Sequence, residues 1–145
     1  MGGLVLDDGA CYGFQKEVYS QDIPIQAFPH IGVWEAAAVY VLAILFKNRL
    51  ENRHVILHVD NAGVVWSLVK GNTKCEMTRR VLRNFFEIQC FDFWAEWIST
   101  ERNGADHCTR TQRMGALCQE LRPTFVANPR WLQPKIIDAV LKDIV

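Results

Sequence analysis

Four acids in this chain interrupt or end patterns that are otherwise apolar. Asp8 closes one hydrophobic run, Glu35 breaks into another, Asp60 ends a third, and Asp106 opens a stretch of helical spacing. Gathered in one place, four carboxylates raise one another's pKa and oppose folding unless a cation sits among them. An oxygen-only set favours a hard divalent ion, magnesium or manganese over zinc. Two such ions roughly 3.5–4 Å apart activate a water on one side of a phosphodiester and stabilise the leaving oxygen on the other. Phosphodiester hydrolysis is the chemistry these residues point to.

Each acid also has an ordinary structural role to be weighed. Asp8 suits a turn before Gly9, Asp60 suits an N-cap for the segment starting at Asn61, and Asp106 suits a first helical turn, where the dipole favours negative charge. Glu35 is different. It lies in the apolar stretch Val33 to Phe46, where an unpaired carboxylate is rarely tolerated unless it faces a polar site.

The elements that must position these acids follow from periodicity. Leu4-Val5-Leu6 running into Asp7-Asp8-Gly9, then Tyr12 to Tyr19, then Ile23 to Phe28 predict a three-stranded antiparallel meander. From about Gly32 the spacing of Trp34, Ala38, Leu42, Leu45 and Phe46 predicts a long, mostly buried helix, with Lys47, Arg49 and Arg53 toward its C-terminal end. His54 to Val59 predicts a fourth strand leaving at Asp60, and Asn61 to Val69 a short helix stopped by Gly71. Glu76 to Phe91 predicts a second long amphipathic helix and Phe93 to Ser99 a fifth strand. A last helix is predicted from Ala105 to about Leu121. After the breaks at Pro123, Pro129 and Pro134, a short amphipathic helix is predicted from Lys135 to Ile144. Strands four and five, each reached through helix, can run parallel to strand one in a mixed five-stranded sheet flanked by helices. Ligands of such α/β sheets gather beyond the carboxyl ends of the parallel strands, where Asp8 and Asp60 would stand.

Composition sets the bounds. With 145 residues, 50% of them hydrophobic, the chain is sized for one core. We assign residues 1–121 to the domain and residues 122–145 to a tail carrying the short helix. Five scattered cysteines without a C-x-x-C pair support neither a disulfide framework nor a zinc site; buried thiols in a reducing compartment are expected. The glutamate within the longest apolar stretch argues against a membrane span, and no charged-then-apolar leader precedes the first strand, so an intracellular protein is expected, in cytoplasm or nucleus. A net charge of zero leaves nucleic-acid binding to local patches or a linked domain. Arg79, Arg80 and Arg83, preceded by Lys70 and Lys74, form one such patch. Arg79, with Asn61 and Asn72, is a candidate for phosphate contacts, a solvated helix face being the plain alternative. Trp66, Trp94 and Trp97 are expected to pack in the core rather than to stack on bases.

The local words around the acids resemble a known family. Asp8-Gly9-Ala10-Cys11-Tyr12-Gly13 is similar to the first-strand signature of ribonuclease H domains, and Ile31-Gly32-Val33-Trp34-Glu35-Ala36 to their helix-borne glutamate motif. His58-Val59-Asp60-Asn61-Ala62-Gly63 resembles the fourth-strand motif. Asn103-Gly104-Ala105-Asp106-His107-Cys108-Thr109-Arg110 resembles the retroelement pattern Asn-x-x-Ala-Asp-x-Leu-Ser-Arg. The likeness covers nearly the whole chain, including Trp131-Leu132-Gln133-Pro134, and is strongest to the ribonuclease H domains that follow reverse transcriptases in DIRS-type, tyrosine-recombinase retroelements.

The resemblance implies a ribonuclease H-like fold. It implies two magnesium or manganese ions held by Asp8, Glu35, Asp60 and Asp106, and hydrolysis of the RNA strand of an RNA–DNA hybrid to a 3′-hydroxyl and a 5′-phosphate. It also implies a linked reverse transcriptase, and a chain that starts at strand one, after Met1-Gly2-Gly3, fits a domain cut from such a polyprotein. Asp8 would bridge both ions, Asp106 would serve the water side, and Glu35 with Asp60 the leaving-group side. Two features depart from the family pattern. No His lies between His58 and His107, leaving Trp97 or Glu101 nearest to where many members place one, and the asparagine stands one residue closer to Asp106 than usual. A catalytically decayed ribonuclease H-like module that binds or tethers nucleic acid is the alternative within the family. An unrelated α/β domain whose acids are all helix caps is the alternative outside it, and it predicts dispersed carboxylates.

Overall fold

The computed structural model describes residues 2–7, 10–15 and 30–107. The expected third strand, the tail and most of the last predicted helix lie outside the described residues, as does Asp8. Within them the chain is a mixed α/β structure with a parallel strand pair and packed helices.

Strands β1 (Gly2–Asp7) and β2 (Ala10–Gln15) form an antiparallel hairpin in which Asp7 is paired with Ala10. Helix α1 (Ile31–Leu45) follows, then a turn at Phe46 and the single helical turn α2 (Lys47–Leu50). The one long helix expected here is therefore broken at Phe46, and the chain leaves α2 through Asn52, which takes the left-handed φ of 59° that asparagine tolerates better than most residues. Strand β3 (His54–Val59) is the expected fourth strand, with its predicted bounds. It is followed by α3 (Ala62–Lys70) and α4 (Glu76–Ile88), then β4 (Asp92–Trp97), a 3₁₀ turn (Thr100–Arg102) and α5 (Gly104–His107). Helix α4 stops three residues before Phe91, whose ring is needed inside: Phe85 meets Phe86, Phe91 and Phe93 edge-to-face at 5.3, 6.2 and 5.5 Å between centroids.

β3 and β4 run parallel in register from His54 opposite Asp92 to Val59 opposite Trp97. Among the described residues β1 pairs with β2 and β3 with β4. One face of the parallel pair carries Leu57, Val59 and Ala95 into a core shared with α1 and α4, where Val33, Val41, Val81, Leu82 and Phe85 are fully buried. Strand alternation then turns Ile56 and Trp94 outward, and both are exposed. On that outer face His54 meets Asp92 at 3.5 Å and His58 meets Glu96 at 3.0 Å, so these histidines are strand residues, as expected.

The three tryptophans correct the sequence expectation. Trp66, Trp94 and Trp97 are 61%, 70% and 58% exposed. The hydrophobic interior is filled by helix-borne valines, leucines and phenylalanines, and the tryptophans fall on outward positions or at a strand end. Cys75 and Cys90 are free thiols and half-buried rather than buried. No helix among the described residues is long and apolar enough to cross a membrane.

Candidate metal centre

Asp60 is the residue at which β3 leaves the sheet, and its expected alternative role was to cap α3. The structure gives that role to Asn61. Its side-chain oxygen accepts from the Gly63 and Val64 N–H groups at 2.9 and 3.3 Å, which satisfies the first free donors of the helix. At the other end, Gly71 closes α3 in the left-handed conformation at φ 64°, as glycine does most readily. The Asp60 carboxylate is thus free of capping. At α5, Asn103 likewise accepts from a backbone donor, the Ala105 N–H, at 3.0 Å.

Glu35 comes to Asp60 because α1 and α3 approach closely near their N-terminal ends. There a Cβ on Gly32 would stand in ordinary van der Waals contact, 3.4 Å from the Asn61 amide nitrogen and 3.8 Å from Val64. One turn further along α1, burial pushes the Glu35 carboxyl above its usual range, the negative charge of Asp60 pushes it the same way, and the Asn61 side chain offsets part of the effect. Among the described residues, Glu35 Oε2 is enclosed and has no hydrogen-bond partner. A buried acceptor left unpaired costs about 1–3 kcal/mol, and no described residue offsets that cost at this oxygen. An enclosed, unpaired carboxylate oxygen beside a second carboxylate is the donor chemistry that suits a hard divalent cation.

The other predicted residues stand as follows. Asp8 lies outside the described residues. Asp106 falls in the backbone of α5, which packs beside β1, and its side chain lies outside the described set. Among the described residues no group of three or more His, Cys, Asp or Glu side chains is gathered to hold a metal; Glu35 and Asp60 are near enough for the charge of Asp60 to act on the Glu35 carboxyl. Asp7, next to Asp8, is paired with Arg49 at 3.8 Å. Arg49 lies beyond the break at Phe46, in α2, fourteen residues after Glu35.

The proposed phosphate ligands are already engaged. The Arg79 guanidinium donates to the Thr73 carbonyl from Nε and Nη2, at 3.2 and 2.8 Å, and to Glu76 from Nη1. That locks the turn into α4. Asn72 Oδ1 accepts from the Thr73 N–H at 2.8 Å, and the Asn61 oxygen is the α3 cap. Arg83 and Lys74 remain exposed, and Lys70 lies 5.5 Å from the centre of the Trp66 ring. One residue had not been singled out for the acid pair: Trp97, whose indole N–H donates to the Asp60 carbonyl at 3.1 Å.

No protein-family model matches this chain, and the comparisons with curated proteins and with solved structures give no significant match.

Proposed function

We propose that this chain is a ribonuclease H-like, divalent-metal-dependent endonuclease that hydrolyses the RNA strand of RNA–DNA hybrids within a retroelement reverse transcriptase polyprotein. The observation that carries the proposal is the Glu35–Asp60 pair, near the carboxyl end of a parallel strand, with Glu35 Oε2 enclosed and without a partner among the described residues. The site lies where α/β sheets place their ligands. Neither acid is consumed by a helix cap, so the cap-only alternative loses its explanation for Asp60.

Glu35 and Asp60 would hold the cation on the leaving-group side, with Asp8 and Asp106 completing the set as the family resemblance implies. When bound, magnesium or manganese supplies an activated water and charge stabilisation at the leaving oxygen. The chain's own part would be to hold the two carboxylates near one another before any ion arrives: Asn61 caps α3 next to Asp60, and its side chain offsets part of the cost of charging Glu35. The full set requires β1 to join β3 and β4 in the five-stranded sheet of that fold.

The decayed, nucleic-acid-tethering alternative draws on the absence of a His between His58 and His107 and on the asparagine that stands one residue closer to Asp106 than the family pattern has it. A magnesium- or manganese-dependent cleavage assay on an RNA–DNA hybrid separates the two. The unsubstituted chain is expected to give fragments with 5′-phosphate ends, and Asp60→Asn is expected to give none. Equal products from both proteins, or none from either, would refute the nuclease assignment.

A further inference from the structure

The carboxyl end of β4 reaches across to the acid pair by two routes. Its backbone extends the ladder, the Ile98 N–H donating to the Val59 carbonyl at 3.1 Å. Its side chain goes one residue further, the Trp97 indole N–H donating to the Asp60 carbonyl at 3.1 Å. Residues 59 and 60 are thereby held in succession from the neighbouring strand, and Asn61 is fixed by its own bonds to the start of α3. The indole is 58% exposed, so most of its surface stays in water and its burial contributes only part of what a core tryptophan would. What distinguishes it is the directed N–H, placed on the main chain of one of the two acids.

We propose that Trp97 is a positioning residue for Asp60: its indole N–H fixes the Asp60 main chain and so presents the carboxylate beside Glu35 as half of a divalent-cation site. This rests on the metal-binding role proposed above. With the bond in place, the ordering of the β3 exit is complete before a cation binds. Without it, that ordering is charged to the binding step. A neutral hydrogen bond of ordinary net strength corresponds to a loss of about 2- to 10-fold in cation affinity.

Trp97→Phe keeps most of the ring and removes only the donor. Manganese binding to the full chain, measured by calorimetry for the unsubstituted protein, Trp97→Phe and Asp60→Asn, is paired with urea unfolding of each in chelator. Trp97→Phe is expected to bind manganese about 2- to 10-fold more weakly with its unfolding midpoint nearly unchanged, and Asp60→Asn to lose binding. Equal affinities for the unsubstituted chain and Trp97→Phe overturn the positioning role alone. Weakened binding accompanied by a matching loss of stability also overturns it, because the tryptophan would then be serving the fold in general. Absence of manganese binding to the unsubstituted chain overturns the metal role, and this inference with it.

Discussion

Glu35→Gln should make the metal-free protein more stable at neutral and alkaline pH, and the gain should vanish in acid. Burial and the charge of Asp60 both raise the Glu35 carboxyl above its usual range. A carboxyl with a raised folded-state pKa binds its proton more tightly when folded than when unfolded. Its favourable contribution is therefore present below the ordinary glutamate range and is lost as pH rises through the raised value. Above that window the folded state carries two neighbouring negative charges, one of them on an enclosed oxygen without a partner among the described residues. Because Glu35 is half-buried and water screens the repulsion, removing its charge is worth only about 1 kcal/mol. Urea unfolding in chelator, taken at intervals from pH 4.5 to 8.5, should show the two proteins diverging as pH rises, with Glu35→Gln ahead by about that amount at the top. Manganese should reverse the order, since a ligand at 100 times its dissociation constant stabilises the binding-competent protein by about 2.7 kcal/mol. A variant that is no more stable than the parent at pH 8.5, or a difference that does not change with pH, would refute the strained carboxylate pair.

Two further predictions concern the framework. Asn61→Ala removes the α3 cap and should lower stability by about 1 kcal/mol in thermal or urea unfolding. It should also weaken manganese binding, because the same side chain favours the charged form of Glu35. Phe85→Ala empties the centre of the aromatic cluster shared by α4 and β4 and should cost about 3–5 kcal/mol, read from the urea midpoint with an unchanged slope.

Much of the architecture was legible in the residues, unevenly and for identifiable reasons. β3 was predicted to its ends because a short β-branched run bounded by Arg53 and Asp60 has few other options. α3 was legible from its capping chemistry, although the cap is Asn61 and not Asp60; either residue type suits the position, and only the geometry of the β3 exit chooses between them. The break at Phe46 was hidden because apolar spacing continues through it. The tryptophans were misplaced because size and hydrophobicity suggest burial, while strand phase and the competition for interior volume decide it. Arg79 looked like a free cation because sequence spacing does not reveal that a guanidinium folds back onto the Thr73 carbonyl.

By itself the sequence determined which acids were worth asking about. Glu35 in an apolar helical run and Asp60 at the end of a strand are local facts, legible from hydrophobic pattern and turn chemistry. The tertiary structure alone decided that these two acids, 25 residues apart along the chain, come near enough for one charge to act on the other. It also decided that Asn61 frees Asp60 from capping and that Trp97 reaches its carbonyl from the neighbouring strand. Local pattern specifies which face of an element is buried, but the meeting of two side chains depends on how whole elements pack, through close approaches such as Gly32 against Asn61 that no single stretch of sequence encodes.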